Sequence, residues 1–232
     1  MKNLFLALLF FWSSMVPASG DGENDSLEPL NRLVFTLNDS LDQVIAEPMA
    51  RAYSNLTPDP VEQGIANVFS NLEELTNATN SGLQGKMDGL AYSTGRFLIN
   101  STIGLAGFFD VAGKFFEMPK REPEDFGQTL AVWGVGEGFY VMIPFLGPSS
   151  LRDAPSRFVD TFTNPLRYHS NVSLRNSMTG ASLLSTRAGL LGVDDLVSGD
   201  EYVFVRDIYR QRRSYLSKDG AIEDDFGEDD DY

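Results

Sequence analysis

The sequence predicts an all-α fold with long, irregular, Gly-rich connections and at most one short extended segment. Three observations carry that expectation. Apolar residues recur at three- and four-residue spacing in about five separate stretches, the pattern of one-sided helices. Only Tyr140–Ile143 is strand-prone, and it stops at Pro144. With 42% hydrophobic residues in 232, the chain can bury one core.

The first helix is capped by Ser26, with Pro29 in its first turn, where a missing N–H costs nothing. Leu30, Leu33, Val34, Leu37, Leu41, Val44 and Ile45 form its apolar face, and it is expected to end before Pro48. A second helix covers Val61 to Leu75, followed by a polar Asn/Ser/Gly loop from Asn77 to Gly85. Met87, Leu90, Ala91, Thr94, Phe97 and Leu98 make a third. From Ile103 to Phe116, glycines alternate with Phe108, Phe109, Phe115 and Phe116, bounded by Lys114, Lys120 and Arg121. This segment suits either a membrane interface or a core loop under the bundle. Glu124 to Val132 is a short helical stretch. Gly147-Pro148-Ser149-Ser150 reads as a turn capping a helix from Leu151 to Asn164-Pro165. Leu183–Leu191 is helical, and Asp200 caps a last helix through Leu216.

Charge and composition exclude much chemistry. Lys and Arg number 18 against 33 Asp and Glu, for a net charge of −15, with one His and no Cys. An acidic chain repels phosphate backbones, so no nucleic-acid partner is expected. Without Cys there are no disulfides, thiolate nucleophiles or Cys-based metal sites, and one His leaves little for a Ser-His mechanism; no cofactor is expected. Twelve of the 33 acids lie in residues 19–28 and 219–232, which hold no Lys or Arg. Both segments read as solvated, an acidic linker and a disordered acidic tail. The domain proper is a single unit over residues 29–218.

Met1-Lys2-Asn3 followed by Leu4 through Trp12 has the basic start and short apolar run of a signal peptide, with cleavage expected after Ala18. That run is shorter than the roughly 20 residues a bilayer span requires.

Among short motifs, Gly134, Gly136 and Gly138 lack the spacing and context of a nucleotide loop and read as a hinge or re-entrant loop. Glu124 and Asp125 admit a carboxylate pair, against the alternative of a solvated turn beside Pro123. Arg210, Arg212 and Arg213 form the one basic cluster, suited to lipid phosphate, an acidic partner or pairing on the helix.

Several blocks together resemble the VacJ/MlaA family of outer-membrane lipoproteins. They are Glu28-Pro29-Leu30-Asn31-Arg32 with Asn38, Gly64-Ile65-Ala66-Asn67-Val68-Phe69, Arg96-Phe97-Leu98-Ile99-Asn100, Gly107-Phe108-Phe109-Asp110-Val111-Ala112, Asp125-Phe126-Gly127-Gln128-Thr129, Trp133-Gly134-Val135-Gly136 and Arg152-Asp153. The resemblance runs in order from about residue 28 to residue 213.

It implies a ring of amphipathic helices in the inner leaflet of the Gram-negative outer membrane, with an amphipathic channel. Such a protein removes mislocalised phospholipid from the outer leaflet and passes it to a periplasmic lipid-shuttle protein, beside a trimeric porin. No enzymatic step is implied, although a lipid hydrolase using Glu124 and Asp125 is a weaker alternative. Under this resemblance Gly134, Gly136 and Gly138 form a gate, and Phe108, Phe109, Phe115 and Phe116 face the membrane. Asn31, Arg32, Asn67, Arg96, Asn100, Asp125, Arg152 and Asp153 belong to the pore or its structural frame. The family's acylated lipobox Cys has no counterpart in a chain without Cys. The expectation is therefore anchoring through helices or porin on the periplasmic side of the outer membrane, or a soluble periplasmic binding or scaffold protein. Phe139 also stands where a Pro is common, which alters the stiffness of the gate.

Overall fold

The computed structural model describes Asp25, residues 27–193 and residues 199–221. The expected signal peptide with its cleavage after Ala18, and residues 222–232 of the acidic tail, lie outside the described residues.

The chain opens with α1 (Glu28–Leu41), a π-helical turn (Asp42–Ala46) and α2 (Glu47–Leu56), which run on from one another. Then come α3 (Asp59–Leu83), α4 (Met87–Thr102), α5 (Val111–Phe115) and α6 (Phe126–Val132). Strands β1 (Tyr140–Ile143) and β2 (Gly147–Ser150) form an antiparallel hairpin with Tyr140 opposite Ser150. It leads to α7 (Asp153–Asp160), a 3₁₀ turn (Pro165–Tyr168), α8 (Val172–Ala188) and α9 (Glu201–Ser217), whose first turn is capped by Asp200 as expected.

Packing neighbours close a circuit. Helix α1 lies on β1, β1 pairs with β2, and β2 packs on α7 and α9. Both of those touch α6; from there contacts pass to α3, α8 and α2, and back through the π turn to α1. Among the described residues the fold is all-helical apart from the hairpin, and its ring-like order of neighbours is the expected one.

Three local expectations are corrected. Gly147–Ser150 is a second strand, not a turn, because its backbone completes the ladder with β1 and buries Ser149 and Ser150 against α9 and α7. Asn77–Leu83 continues α3 instead of forming a loop. Its polar side chains find partners: Asn77 accepts from the Glu124 N–H at 3.0 Å, Asn80 donates to Asp160 at 2.9 Å and Thr129 donates to Asn80 at 3.0 Å. Paired in this way, polar residues cost a helix little. Pro48 falls in the first turn of α2, where its missing donor is tolerated, and the π turn before it keeps the helical run continuous instead of ending it.

Burial is inverted relative to a water-soluble domain. Among the described residues, 17 buried side chains are polar or charged and 10 are apolar, while 31 large hydrophobic side chains are exposed. The largest fully buried side chains are Asn31, Asn80, Thr129, Ser149 and Ser150. A small aromatic core of Tyr140, Met142 and Tyr202 packs under α1.

Candidate functional site

The Gly-rich loop at residues 133–139 starts at the end of α6 and ends at β1. Gly134 and Gly138 have φ of +86° and +72°, a left-handed backbone that suits Gly, whereas Gly136 does not. Between them the backbone is fastened to one short segment. The Phe139 carbonyl accepts from the Leu151 N–H at 3.1 Å, and the Glu137 carbonyl from the Arg152 N–H at 3.2 Å. The Val135 carbonyl accepts from the Arg152 guanidinium at 3.5 Å. Burial pushes the Glu137 carboxyl up from its ordinary pKa, partly offset by the nearby Arg152.

Beneath the loop lies a buried ionic knot. Asp125 caps α6 by accepting from the Gln128 N–H, and takes both ends of the Arg213 guanidinium at 2.5 and 2.7 Å. Arg213 also reaches Asp153 at 2.5 Å, and Arg152 donates to the same carboxylate at 2.8 Å. Tyr209 closes the set by donating to Asp153 at 2.7 Å. Burial works to raise Asp153, but the hydrogen bonds from Arg213 and Arg152 outweigh it and hold the carboxyl at about 2. Gly127 is the gap that admits the knot, since a Cβ there would stand 2.2 Å from Arg213 and 2.4 Å from Asp153. The knot thus joins α6, from which the loop starts, to α7, which follows the segment the loop is fastened to, and to α9.

A second knot secures the aromatic segment. Arg96, only 3% exposed, donates to Glu74 at 2.6 Å, to Asp110 at 3.2 Å and to the Met118 carbonyl. Asn100 donates to Asp110 at 2.9 Å and accepts from the Ala112 N–H at 2.8 Å. Leu105, Ala106 and Gly107 are successively left-handed, a costly backbone that these bonds hold in place. Phe109, Phe115 and Phe116 stand exposed, Phe115 at 71%. Phe108 departs from the expected outward set: its ring fills the hollow over Gly64, where a Cβ would lie 2.2 Å away, and Asn67 donates to its carbonyl at 3.1 Å.

The remaining expected residues have internal duties. Asn31 is buried against β1, while Arg32 lies at the surface, paired with Glu28 at 2.7 Å and Asp200 at 2.9 Å. Glu124 and Asp125 turn to separate partners, Glu124 to Lys86 and Gln84, Asp125 to Arg213. Of the basic cluster, Arg213 is buried and Arg212 pairs with Glu122. The sequence motifs pointed to Asp125 and Asp153 but not to their shared partner Arg213, 60 residues beyond Asp153, a separation at which sequence spacing carries no pairing signal. His169 is exposed.

The profile of the MlaA lipoprotein family matches residues 23–216. The chain belongs to the MlaA family. Among its relatives is the intermembrane phospholipid transport system lipoprotein MlaA of Escherichia coli (strain K12), 36% identical over 206 residues, covering 87% of this chain and 81% of that protein. The Haemophilus influenzae protein of the same name is 29% identical over 203 residues, covering 86% and 81%. An uncharacterized protein of Rickettsia felis is 36% identical over 193 residues, covering 82% and 76%. A solved structure described as the structural basis for maintenance of bacterial outer membrane lipid asymmetry superposes with a TM-score of 0.75. It is 36% identical and covers 84% of this chain and 100% of that one. In this MlaA-family chain most of the buried side chains are polar or charged, and no described helix is long and apolar enough to cross a membrane.

Proposed function

We propose that this chain is the outer-membrane component of intermembrane phospholipid transport, removing mislocalised phospholipid from the outer leaflet and passing it to a periplasmic carrier. The observation that carries this reading is the inverted burial. A polar interior bounded by exposed Leu, Ile and Phe is stable where acyl chains cover the outside and headgroups meet the inside. Amphipathic helices satisfy their own backbone bonds, so such a ring can sit in one leaflet without a spanning segment.

In this reading Phe109, Phe115 and Phe116 contact acyl chains, and the loop between Gly134 and Gly138 is the gate, with Gly136 at its centre. Arg152 and the Arg213 knot position that gate. A trimeric porin and a periplasmic shuttle protein are the partners on either side. The chemistry is transfer of intact lipid, with no bond broken.

The test is leaflet passage. The full chain is reconstituted into vesicles carrying a fluorescent phospholipid quenchable from outside, and the rate of exchange between leaflets is followed. Acceleration by the wild type and its loss in Gly136→Pro are expected. Unchanged passage in Gly136→Pro overturns the gate. Recovery of the chain from the soluble periplasm free of phospholipid overturns transport in favour of a binding or scaffold role.

A further inference from the structure

A cavity of about 440 Å³ lies away from the gate, between the start of α4, the loop at residues 121–124 and the end of α9. Its polar floor includes Ser81 and Ser93, 2% and 6% exposed.

The walls carry both signs of charge. Lys86 and Arg121 face four carboxylates: Asp88, Glu122, Glu124 and Asp219. Lys86 donates to Glu124 at 2.9 Å and also pairs with Asp219, which lies two residues past the end of α9 in a left-handed backbone. Arg121 stacks on Tyr92 at 3.6 Å and reaches Asp88 at 3.5 Å, while Glu122 pairs with Arg212 at 3.1 Å. A simple anion meets too many carboxylates here, and a simple cation meets two fixed positive groups. A ligand carrying both charges satisfies both walls, its phosphate taking the lysine and arginine and its ammonium the acids. Tyr215 and Leu216 supply an apolar side for the rest of the molecule.

We infer that this cavity binds the phosphoethanolamine headgroup of a phospholipid, with Lys86 and Arg121 on the phosphate, Glu122 and Asp88 on the ammonium, and Asp219 as an internal competitor for Lys86. The inference rests on the phospholipid reading above and adds a headgroup class to it.

Calorimetric titration of the detergent-purified full chain with glycerophosphoethanolamine, inorganic phosphate and ethanolamine tests it. The headgroup is expected to bind at least about tenfold more tightly than either fragment, because each fragment lacks one charge-assisted contact set. Lys86→Gln is expected to weaken binding about tenfold, and Asp219→Asn to strengthen it, since lysine is then released to the ligand. Opposite signs from two substitutions in one cavity cannot come from a general loss of fold. Equal binding of inorganic phosphate would make this a site for free phosphate and overturn the inference, as would no binding, or both variants shifting the same way. A lysophospholipid bearing the same headgroup must displace glycerophosphoethanolamine; failure to do so assigns the cavity to a soluble metabolite and overturns the lipid source. The leaflet-passage assay on the same preparation separates the two readings. Passage without headgroup binding removes only this inference, whereas loss of passage removes the transport reading.

Discussion

Asn31 and Asn38 stand two helical turns apart on α1 and hold the same strand by the same device. Asn31 donates to the Tyr140 carbonyl at 3.1 Å and accepts from the Met142 N–H at 2.8 Å. Asn38 donates to the Ile143 carbonyl at 2.9 Å and accepts from the Phe145 N–H at 2.8 Å. Each side-chain amide imitates a neighbouring backbone, and seven helical residues cover about 10.5 Å, close to three residues of strand. Phe145, at φ +65° and 79% exposed, is kept in that conformation by the second of these clamps. Asn38→Ala is expected to raise amide exchange at the hairpin tip while β1 stays protected at its Asn31 end, with a stability loss of about 1–3 kcal/mol. Equal exchange at Phe145 in variant and wild type would refute the clamp.

The Arg213 knot makes a larger claim on stability. Arg213→Met leaves the half-buried Asp125 carboxylate without a cation and the buried Asp153 with Arg152 alone, a loss of roughly 2–4 kcal/mol. Gly127→Ala is expected to behave like it, because the added carbon occupies the guanidinium's place. Urea unfolding in detergent measures both; a midpoint unchanged in either contradicts the packing described.

Stability is expected to peak on the acid side of neutrality. Burial pushes the Asp160 carboxyl up to about 6, despite hydrogen bonds from Asn80 and the Phe126 N–H, against an ordinary 3.8. Between those values the folded chain holds more protons than the unfolded one, so stability falls as pH rises from about 4 to 6. Asp153, held at about 2, acts oppositely: the unfolded chain holds more protons from about 2 to 4, and stability rises with pH there. Asp110 and Asp125 are lowered too and add to that rise. Asp160→Asn should flatten the fall and spare the rise, as read from thermal midpoints across pH; a fall of the same slope would show that another group causes it.

The three loop glycines are not equivalent. Gly134→Ala meets no neighbouring atom, yet forces a side chain into a left-handed backbone at about 1–2 kcal/mol. Gly136→Ala requires no such conformation and is expected to leave stability within about 0.5 kcal/mol of wild type. Comparable losses in both variants would mean that the loop's resting conformation differs from the one described.

Helical periodicity was legible wherever one face of a helix is apolar, as in α1, α4 and α9, and Asp200 was readable as a cap. It failed at Asn77–Leu83, because a polar helical stretch looks like a loop until Asp160, Thr129 and Glu124 are brought from 47 to 80 residues away. It failed again at Ser149 and Ser150, whose burial comes from a strand partner and not from their own hydropathy. The candidate site was legible as motifs but not as bonds. Asp125-Phe126-Gly127 and Arg152-Asp153 stood out as strings, while Gly64 under Phe108 and Arg213 between two aspartates emerge only from three-dimensional packing.

A saturation scan of this chain would read like a photographic negative of one from an ordinary enzyme. In the transport reading proposed above, exposed positions such as Leu33, Phe115 and Leu183 meet acyl chains, a disordered and forgiving medium, and would accept any greasy residue while rejecting charge. The small amides and hydroxyls at Asn31, Asn80 and Thr129 have fixed partners at fixed distances and would accept almost nothing. Drift among relatives should therefore concentrate on the greasy outside, and the hydrophilic centre should change least.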